Sequence, residues 1–419
     1  MDALTDEDIA ILDLESPTIA GHTCKVIVID DGPGTPTVED VRAHMAARLD
    51  RVPRCQQCLC LAPVAEWTEP SPLDMGKHVR LAPAGDDLAD VVAWAMSGRL
   101  DRGRPLWDLE LVPDVGEDRW ALVWRVHHCM ADGMTMMRWA SDLFWDEPAD
   151  AAKPHPHPAA PSGQMGARPL AALGAAARTV LSVGRELRPA RGSGPFTGRA
   201  GTRRHAAFAR CTLGELRTIE HGAGAGVTMN DVILAAVAGA LRRWCVQHGA
   251  ALEGARVKVP VSMHLYGADA HDLGNRDSFM FVDLPIDEPD PEARLHAVNR
   301  ETRERKAHHD AEAVYDVLDF LERVAPPLAG LATRALENPR EFSVNVSNVP
   351  GPRAGVTVLG RPVHGLYSFA EIGDRHPVRI AAVSLDGVMQ FGLLSDPDRV
   401  PGVDALAAGM EASIAELLS

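Results

Sequence analysis

Seven consecutive residues carry the strongest chemical signal in this chain, His127-His128-Cys129-Met130-Ala131-Asp132-Gly133. A neutral imidazole can take a proton from a hydroxyl group at neutral pH, and histidine is the side chain that most often does so in enzymes. The acid can orient the loop through hydrogen bonds or pair with an arginine elsewhere, and the glycine lets the backbone turn tightly. The segment therefore predicts a general-base loop with His127, His128 and Asp132 as its catalytic residues. The alternative is an ordinary strand-to-helix loop that happens to contain two histidines.

The flanking residues predict the two elements that position this loop. Trp120, Leu122, Trp124 and Val126 alternate with Ala121, Val123 and Arg125, which is the period of a strand that ends at the histidines. Apolar residues at 136, 139, 140 and 143 then follow the spacing of one helical face. Because successive strand residues point to opposite faces, we expect the two imidazoles to face different surroundings. We assign the base to His128 and a packing or positioning role to His127.

Length and composition limit the class of protein. At 419 residues the chain exceeds one ordinary core, so we expect two domains or two halves of one large unit. A hydrophobic content of 46% with 24% charged residues is typical of a globular fold. The net charge of −16 argues against nucleic acid as the main partner, since phosphate binding needs a basic face.

Several features favour the cytoplasm. No apolar run reaches the roughly eighteen residues of a membrane span, and the first eight residues are acidic where a signal peptide is basic. Seven cysteines, an odd number, fit a reducing compartment better than a disulfide framework. Cys55, Cys58 and Cys60 form one cluster, but no second pair follows at the spacing of a zinc site, so we expect buried thiols and no metal.

The pattern along the chain divides it into three parts: residues 1–146 with the histidine loop, 147–202 as a linker or crossover, and 203–419 as a second half. The middle part begins with a stretch rich in Pro, Ala and His and continues with an apolar stripe over 170–187 that predicts an amphipathic helix. Nine arginines against one acid between residues 168 and 210 leave three readings open: contact with an anionic membrane or lipid-droplet surface, attraction of CoA phosphates, or a solvated helix face.

In the second half, a helix is predicted from Asn230 to about residue 247, capped by Thr228 or Asn230. Asn230 and Asp231 have two equally weighted interpretations, helix-end hydrogen bonding or lining of an active-site tunnel. Arg276 is the first partner that we would try for Asp132, because a buried ion pair would lock the loop that carries the base.

A resemblance emerges from the order of several short motifs. The loop, written HHxxxDG, resembles the signature of the CoA-dependent acyltransferases, which include chloramphenicol acetyltransferase and peptide-synthesis condensation domains. Together with four further segments it resembles the bacterial wax ester synthase/diacylglycerol acyltransferase family over nearly the whole chain. Those segments are Pro105-Leu106-Trp107, Asn230-Asp231, Gly274-Asn275-Arg276 and Ser347-Asn348-Val349-Pro350-Gly351-Pro352.

The resemblance implies an α/β fold with two chloramphenicol-acetyltransferase-like subdomains and an active site in a tunnel between them. It implies transfer of a long-chain acyl group from acyl-CoA, as co-substrate, to diacylglycerol or a fatty alcohol, with no further cofactor. The enzyme would be cytoplasmic, with peripheral contact to the inner membrane face or lipid droplets. The residues carried over as substrate-binding are Gly133, Trp107, Asn230, Asp231, Asn275 and Arg276.

Two departures from the family pattern concern the acyl acceptor. Cys55-Gln56-Gln57-Cys58 follows Arg54 where relatives continue with arginine, and Ser193 stands where relatives often have asparagine. Both bear on the shape of a substrate entrance. Two alternative functions stay open: an acyltransferase or condensation enzyme of secondary metabolism that uses a carrier-bound acyl group, and a non-catalytic lipid-droplet binding protein. The intact histidine loop argues against the non-catalytic binding protein, because a protein that only binds lipid has no need of a base.

Overall fold

In the computed structural model, the described residues are 2–32, 34–62, 65–83, 87–147, 194–252, 255–262, 277–307 and 343–419. Asn275, Arg276 and the helix predicted over 170–187 lie outside these ranges, and so do most of the arginines of the basic stretch. The predictions made for them are therefore not tested by the structure.

Strands and helices are interspersed through the described chain. The strands are β1 (Asp2–Ala3), β2 (His22–Asp30), β3 (Leu59–Cys60), β4 (Glu66–Trp67), β5 (Val79–Leu81), β6 (Trp107–Val112), β7 (Arg119–His127), β8 (His205–Thr212), β9 (Arg256–Ser262), β10 (Asp277–Asp283), β11 (Val344–Val349), β12 (Thr357–Val358), β13 (Arg361–Ala370), β14 (Val378–Leu385) and β15 (Val388–Ser395). The helices are α1 (Asp6–Asp13), α2 (Val38–Ala46), α3 (Met75–His78), α4 (Leu88–Ser97), α5 (Gly133–Leu143), α6 (Leu213–Gly222), α7 (Met229–His248), α8 (Pro291–Ala307) and α9 (Val403–Leu418).

Most of these strands form two six-stranded mixed sheets, which make the fold α/β as expected. The first sheet has the order β12-β13-β2-β7-β6-β5, and the second has the order β10-β9-β11-β14-β15-β8. In the first sheet β7 pairs antiparallel with both β2 and β6, so the strand that delivers the histidines is central. A central strand is held on both sides, which makes it a rigid support for a catalytic loop.

The two halves of the chain are interleaved through β13. This strand comes from the C-terminal part of the sequence but pairs with β2 in the first sheet, with Leu366 opposite Ile27. Apolar side chains cover both faces of that sheet, and β2 is buried along nearly its whole length. A third cluster packs α7 and α9 against the second sheet. The three-part division of the chain stays a prediction, and β13 shows that its first part borrows a strand from its third.

The elements predicted from periodicity are present where the structure describes them. The strand over 120–126 is β7, the helix after the loop is α5, and the helix predicted from Asn230 is α7, one residue longer at each end. Strands β9 and β10 pair antiparallel at the edge of the second sheet. Helix α2 ends at Ala46, and a separate 3-10 turn forms over Leu49–Arg51. Within the described ranges no helix is both long and apolar enough to cross a bilayer.

Candidate active site

The histidine loop joins the end of β7 to the start of α5. β7 ends at His127, and the backbone N–H of His127 still donates to the carbonyl of Leu106 at 2.9 Å. The next residue leaves the sheet: the backbone N–H of His128 donates to the carbonyl of Gly21 at 2.8 Å. The two histidines are therefore fixed by different neighbours, one by the strand and the other by the segment that precedes β2.

His127 is buried, and both of its ring nitrogens have partners. The backbone N–H of Cys129 donates to Nδ1 at 3.2 Å, which leaves the proton on Nε2. Nε2 then donates to Oε1 of Glu15 at 2.9 Å. With both nitrogens engaged, His127 is held in one orientation and cannot take a proton from a substrate without losing a contact.

Glu15 connects His127 to two arginines. Its carboxylate lies 2.9 Å from Arg102 and 3.7 Å from Arg99. Burial raises the pKa of Glu15, but the hydrogen bonds from His127 and Arg102 outweigh it and leave the pKa below its usual value. A charged acceptor therefore faces His127 at neutral pH.

His128 has a half-buried side chain directly after the strand. Burial is the main cause that lowers its pKa to about 4; the positive charge of Arg379 acts in the same direction, whereas the charge of Asp132 and a hydrogen bond to the His128 backbone oppose the shift. The ring is therefore neutral near pH 7, and a neutral imidazole is the form that a general base requires.

Asp132 is the N-cap of α5. Its side chain accepts a hydrogen bond from the backbone N–H of Thr135 at 2.6 Å, and its burial is nearly complete. Its charge also acts on Lys25, a buried lysine on β2 whose Nζ donates to Ser368 at 2.8 Å. Burial lowers the pKa of Lys25 to about 8, and the charge of Asp132 opposes this shift. Asp132 thus orients the loop through a helix cap and lies close to a buried cation.

Gly133 brings the loop against the second half of the chain. A Cβ atom at this position would lie 3.2 Å from Cγ2 of Val349, which is tighter than an ordinary van der Waals contact. Val349 belongs to the segment Ser347–Pro352, one of the motifs behind the family resemblance. The structure therefore joins these two motifs, although 216 residues separate Gly133 from Val349.

Asp231 is fully buried and has three hydrogen-bonding partners, Thr228, Asn299 and Thr302, at the start of α7. It forms a capping box with Thr228, and its carboxylate accepts hydrogen bonds from Asn299 at 2.9 Å and Thr302 at 2.6 Å. These contacts support the capping interpretation of Asp231. Asn230 is half-buried beside it, and Thr228, not Asn230, is the cap.

Trp107 begins β6 and is buried beneath the loop, opposite Val126 of β7. Its indole N–H donates to the carbonyl of Cys55 at 2.8 Å, and its ring stacks on His78 with centroids 4.5 Å apart. These contacts support a packing role. The substrate-binding role carried over to Trp107 from the family stays a prediction, and so do the other catalytic and binding assignments.

Two residues beside the loop were not singled out from the sequence. Gly21, just before β2, touches both histidines, and its backbone φ of +76° favours glycine. Glu371, just after β13, accepts hydrogen bonds from the backbone around Gly21. No periodicity or motif in the sequence could have linked these two residues, because 350 positions separate them. Among the described residues, no group of three His, Cys, Asp or Glu side chains is arranged to hold a metal ion.

Sequence comparison finds one family along the chain. The profile of the wax ester synthase/diacylglycerol acyltransferase catalytic domain matches residues 4–233, and that of the WS/DGAT C-terminal domain matches residues 273–418. A probable diacylglycerol O-acyltransferase, tgs1, from Mycobacterium tuberculosis is 30% identical over 94% of this chain and 90% of its own length.

Solved structures share the fold. The wax ester synthase/diacylglycerol acyltransferase from Marinobacter aquaeolei VT8 superposes with a TM-score of 0.73 at 22% identity, over 99% of this chain and 98% of that one. The trichothecene 15-O-acetyltransferase TRI3 from Fusarium sporotrichioides gives a TM-score of 0.62 at 12% identity, over 100% and 94% of the two chains. The expected acyltransferase architecture, with two subdomains, is thus confirmed.

Proposed function

The chain belongs to the wax ester synthase/diacylglycerol acyltransferase family, and on that premise we propose that it transfers a long-chain acyl group from acyl-CoA to the hydroxyl of diacylglycerol or a fatty alcohol. The observation that carries the proposal is the difference between the surroundings of the two histidines in the loop. His127 has both nitrogens engaged, whereas His128 is kept neutral at pH 7 by burial and by the charge of Arg379.

In the proposed reaction His128 takes the proton of the acceptor hydroxyl as the oxygen attacks the thioester carbonyl. The tetrahedral intermediate then collapses, the carbon–sulfur bond breaks, and the proton passes from His128 to the departing CoA thiolate. A positioned base of this kind contributes about a hundredfold to ten-thousandfold in rate. Acyl-CoA is the co-substrate, and the step needs no metal or further cofactor because a thioester is already activated toward an oxygen nucleophile.

The position of the loop supports a site shared by both halves of the chain. Gly133 abuts Val349 of the C-terminal part, and the charge of Arg379 on β14 acts on His128. A tunnel between the halves would bring acceptor and acyl-CoA to the loop from opposite sides, and this tunnel is part of the proposal. Residues carried over from the family, including Asn275 and Arg276, would line it.

The test is a purified-enzyme assay with one labelled acyl-CoA offered diacylglycerol, hexadecanol or a short alcohol in parallel. Triacylglycerol or wax ester as product supports the proposal and identifies the acceptor. Transfer from an acyl-carrier protein but not from acyl-CoA would instead favour the secondary-metabolism alternative. His128→Ala should reduce ester formation to background while acyl-CoA binding and the melting temperature stay near wild type, because the half-buried ring lies in the loop after β7 and not in the sheet. Normal turnover by this variant would exclude His128 as the base.

We further propose that the enzyme works at a lipid surface, since both acceptors are insoluble in water. The basic stretch between residues 168 and 210 is the candidate contact. Replacing Arg178, Arg185 and Arg188 together should weaken sedimentation with vesicles of anionic lipid and leave that with neutral vesicles unchanged. Unchanged sedimentation with anionic vesicles would remove this surface from the proposal.

A further inference from the structure

Glu371 lies directly after β13 and is buried between the two halves of the chain. Its carboxylate accepts hydrogen bonds from three consecutive backbone N–H groups, those of Ala20 at 2.6 Å, Gly21, and His22 at 3.4 Å. These three residues form the turn that leads into β2. A single side chain of the C-terminal half therefore satisfies backbone N–H groups of the N-terminal half where β2 begins.

This turn is in direct contact with the candidate base. The carbonyl of Gly21 accepts the hydrogen bond from the backbone N–H of His128 at 2.8 Å. A Cβ atom at Gly21 would lie 2.4 Å from Nε2 of His127, so the turn is pressed against both histidines. One peptide unit separates the Glu371 carboxylate from the backbone of His128, and a displacement of the turn would move the base.

Two arginines place Glu371 in the same electrostatic environment as the base. Arg204 lies 3.8 Å from the Glu371 carboxylate, and Arg379 donates to the Glu371 backbone carbonyl at 3.1 Å. The positive charge of Arg379 also reaches His128, where it lowers the pKa. Burial raises the pKa of Glu371, while the N–H groups of Ala20 and Gly21 and the charge of Arg204 favour the carboxylate.

We propose that Glu371 is a positioning residue for acyl transfer: its carboxylate fixes the Ala20–His22 turn, and the Gly21 carbonyl in that turn fixes the backbone of His128. The proposal rests on the proposed function, in which His128 is the base. Its physical basis is that a displacement of about 1 Å in a catalytic group can cost about a hundredfold in rate.

The test compares two substitutions that separate the carboxylate from the volume of the side chain. Glu371→Gln keeps the volume but directs an amide N–H group at backbone donors, whereas Glu371→Asp keeps a carboxylate that is one methylene shorter. If the carboxylate positions the base, the Gln variant loses about ten- to a hundredfold in kcat with KM for acyl-CoA within about twofold, and the Asp variant recovers part of that loss. If Glu371 only fills space, Gln retains more activity than Asp, and the proposal is wrong.

Asp396 provides a matched control. It is another buried carboxylate that accepts two backbone N–H groups, from Gly201 at 2.7 Å and Asp398 at 2.9 Å, and no described contact joins it to the histidine loop. We expect Asp396→Asn to lower the melting temperature while leaving kcat of the folded enzyme within about twofold. An equal loss of kcat in both variants would show that loss of stability, not positioning, explains the effect.

Hydrogen exchange gives a readout that does not depend on activity. In Glu371→Gln, peptides covering residues 20–22 and 126–130 should exchange faster than in the wild type, and in Asp396→Asn they should not. Unchanged exchange in both peptides would overturn the proposal. If the wild-type enzyme transfers no acyl group to any acceptor, the proposed function fails, and faster exchange in these peptides would still show that Glu371 holds the loop.

Discussion

His127 and His128 are adjacent residues of one type, yet their rings have different partners. The two ring nitrogens of His127 are engaged by Cys129 and Glu15, whereas the ring of His128 is shaped by burial and by the charges of Arg379 and Asp132. The alternation of strand residues predicts that the two imidazoles face apart, but it does not tell which faces the substrate. In the proposed function the base is His128, because His127 donates from Nε2 to Glu15 and accepts the Cys129 N–H at Nδ1, which leaves it no lone pair for the acceptor proton.

The lowered pKa of His128 predicts the pH dependence of the reaction. The ring is neutral above a pKa of about 4, so kcat/KM should be flat from about pH 5 to pH 8 with respect to this group and fall near pH 4. In the unfolded chain the same ring titrates near 6.5, so only the unfolded state binds a proton between these values, and stability should fall as the pH drops from 6.5 toward 4. Initial rates and urea unfolding at several pH values measure both effects. A rate limb with an apparent pKa near 6.5 would contradict the burial of the base.

Asp132 is expected to act on both stability and activity. Asparagine caps helices nearly as well as aspartate, so Asp132→Asn should keep most of the α5 cap while removing the negative charge near Lys25. We expect a loss of about 1–2 kcal/mol in unfolding free energy together with reduced turnover. Asp132→Ala should be less stable than Asp132→Asn, because it also leaves the Thr135 N–H without its acceptor. Thermal unfolding and initial rates would be compared, and lost activity at an unchanged melting temperature would contradict this structural role.

At the scale of elements, the start of α7 shows how the Asn230-Asp231 pair serves the fold. An Asn-Asp pair at the start of an apolar helix is compatible with a helix cap and with a binding site, and the sequence alone does not choose between these two roles. The hydrogen bonds from Asn299 and Thr302 of α8 tie Asp231 to a second helix. Its carboxylate is thus part of the junction between α7 and α8.

Substitutions at this junction should change stability more than turnover. We expect Asp231→Ala to lower the free energy of unfolding by about 2–4 kcal/mol, since it removes the capping box and leaves Asn299 and Thr302 without an acceptor. Thr302→Val removes one of these bonds at nearly constant volume and should cost about 1 kcal/mol. Chemical unfolding and steady-state kinetics would be measured on both variants. A raised KM with unchanged stability would place Asp231 in substrate binding instead.

For the whole molecule, the decisive feature is the position of β13. It pairs with β2 along most of its length and is followed at once by Glu371, so one C-terminal segment completes both the first sheet and the turn beside the base. The proposed acyltransferase site is therefore a property of the assembled chain. Neither half of the sequence contains all of its parts.

This interleaving predicts that the halves do not fold separately. A fragment of residues 1–160 should aggregate, because without β13 the buried strand β2 becomes an exposed apolar edge. Co-expression with residues 161–419 should restore soluble protein and ester formation. Solubility and size-exclusion chromatography measure the first effect, and the acyl-CoA assay measures the second. A soluble, cooperatively unfolding fragment of residues 1–160 would contradict the dependence on β13.

The sequence by itself determined the local features. The spacing of apolar residues predicted β7, α5 and α7, and the order of short motifs predicted the family. The histidine loop predicted the candidate base. Each of these signals is contained within a few neighbouring residues. Only the tertiary structure decided three contacts. They are the pairing of His127 with Glu15, the hydrogen bond from the Gly21 N–H to Glu371, and the pairing of β13 with β2 in the first sheet. These contacts join residues 112 to 350 positions apart, and nothing in a local pattern specifies which distant side chain will satisfy a buried backbone or ring nitrogen.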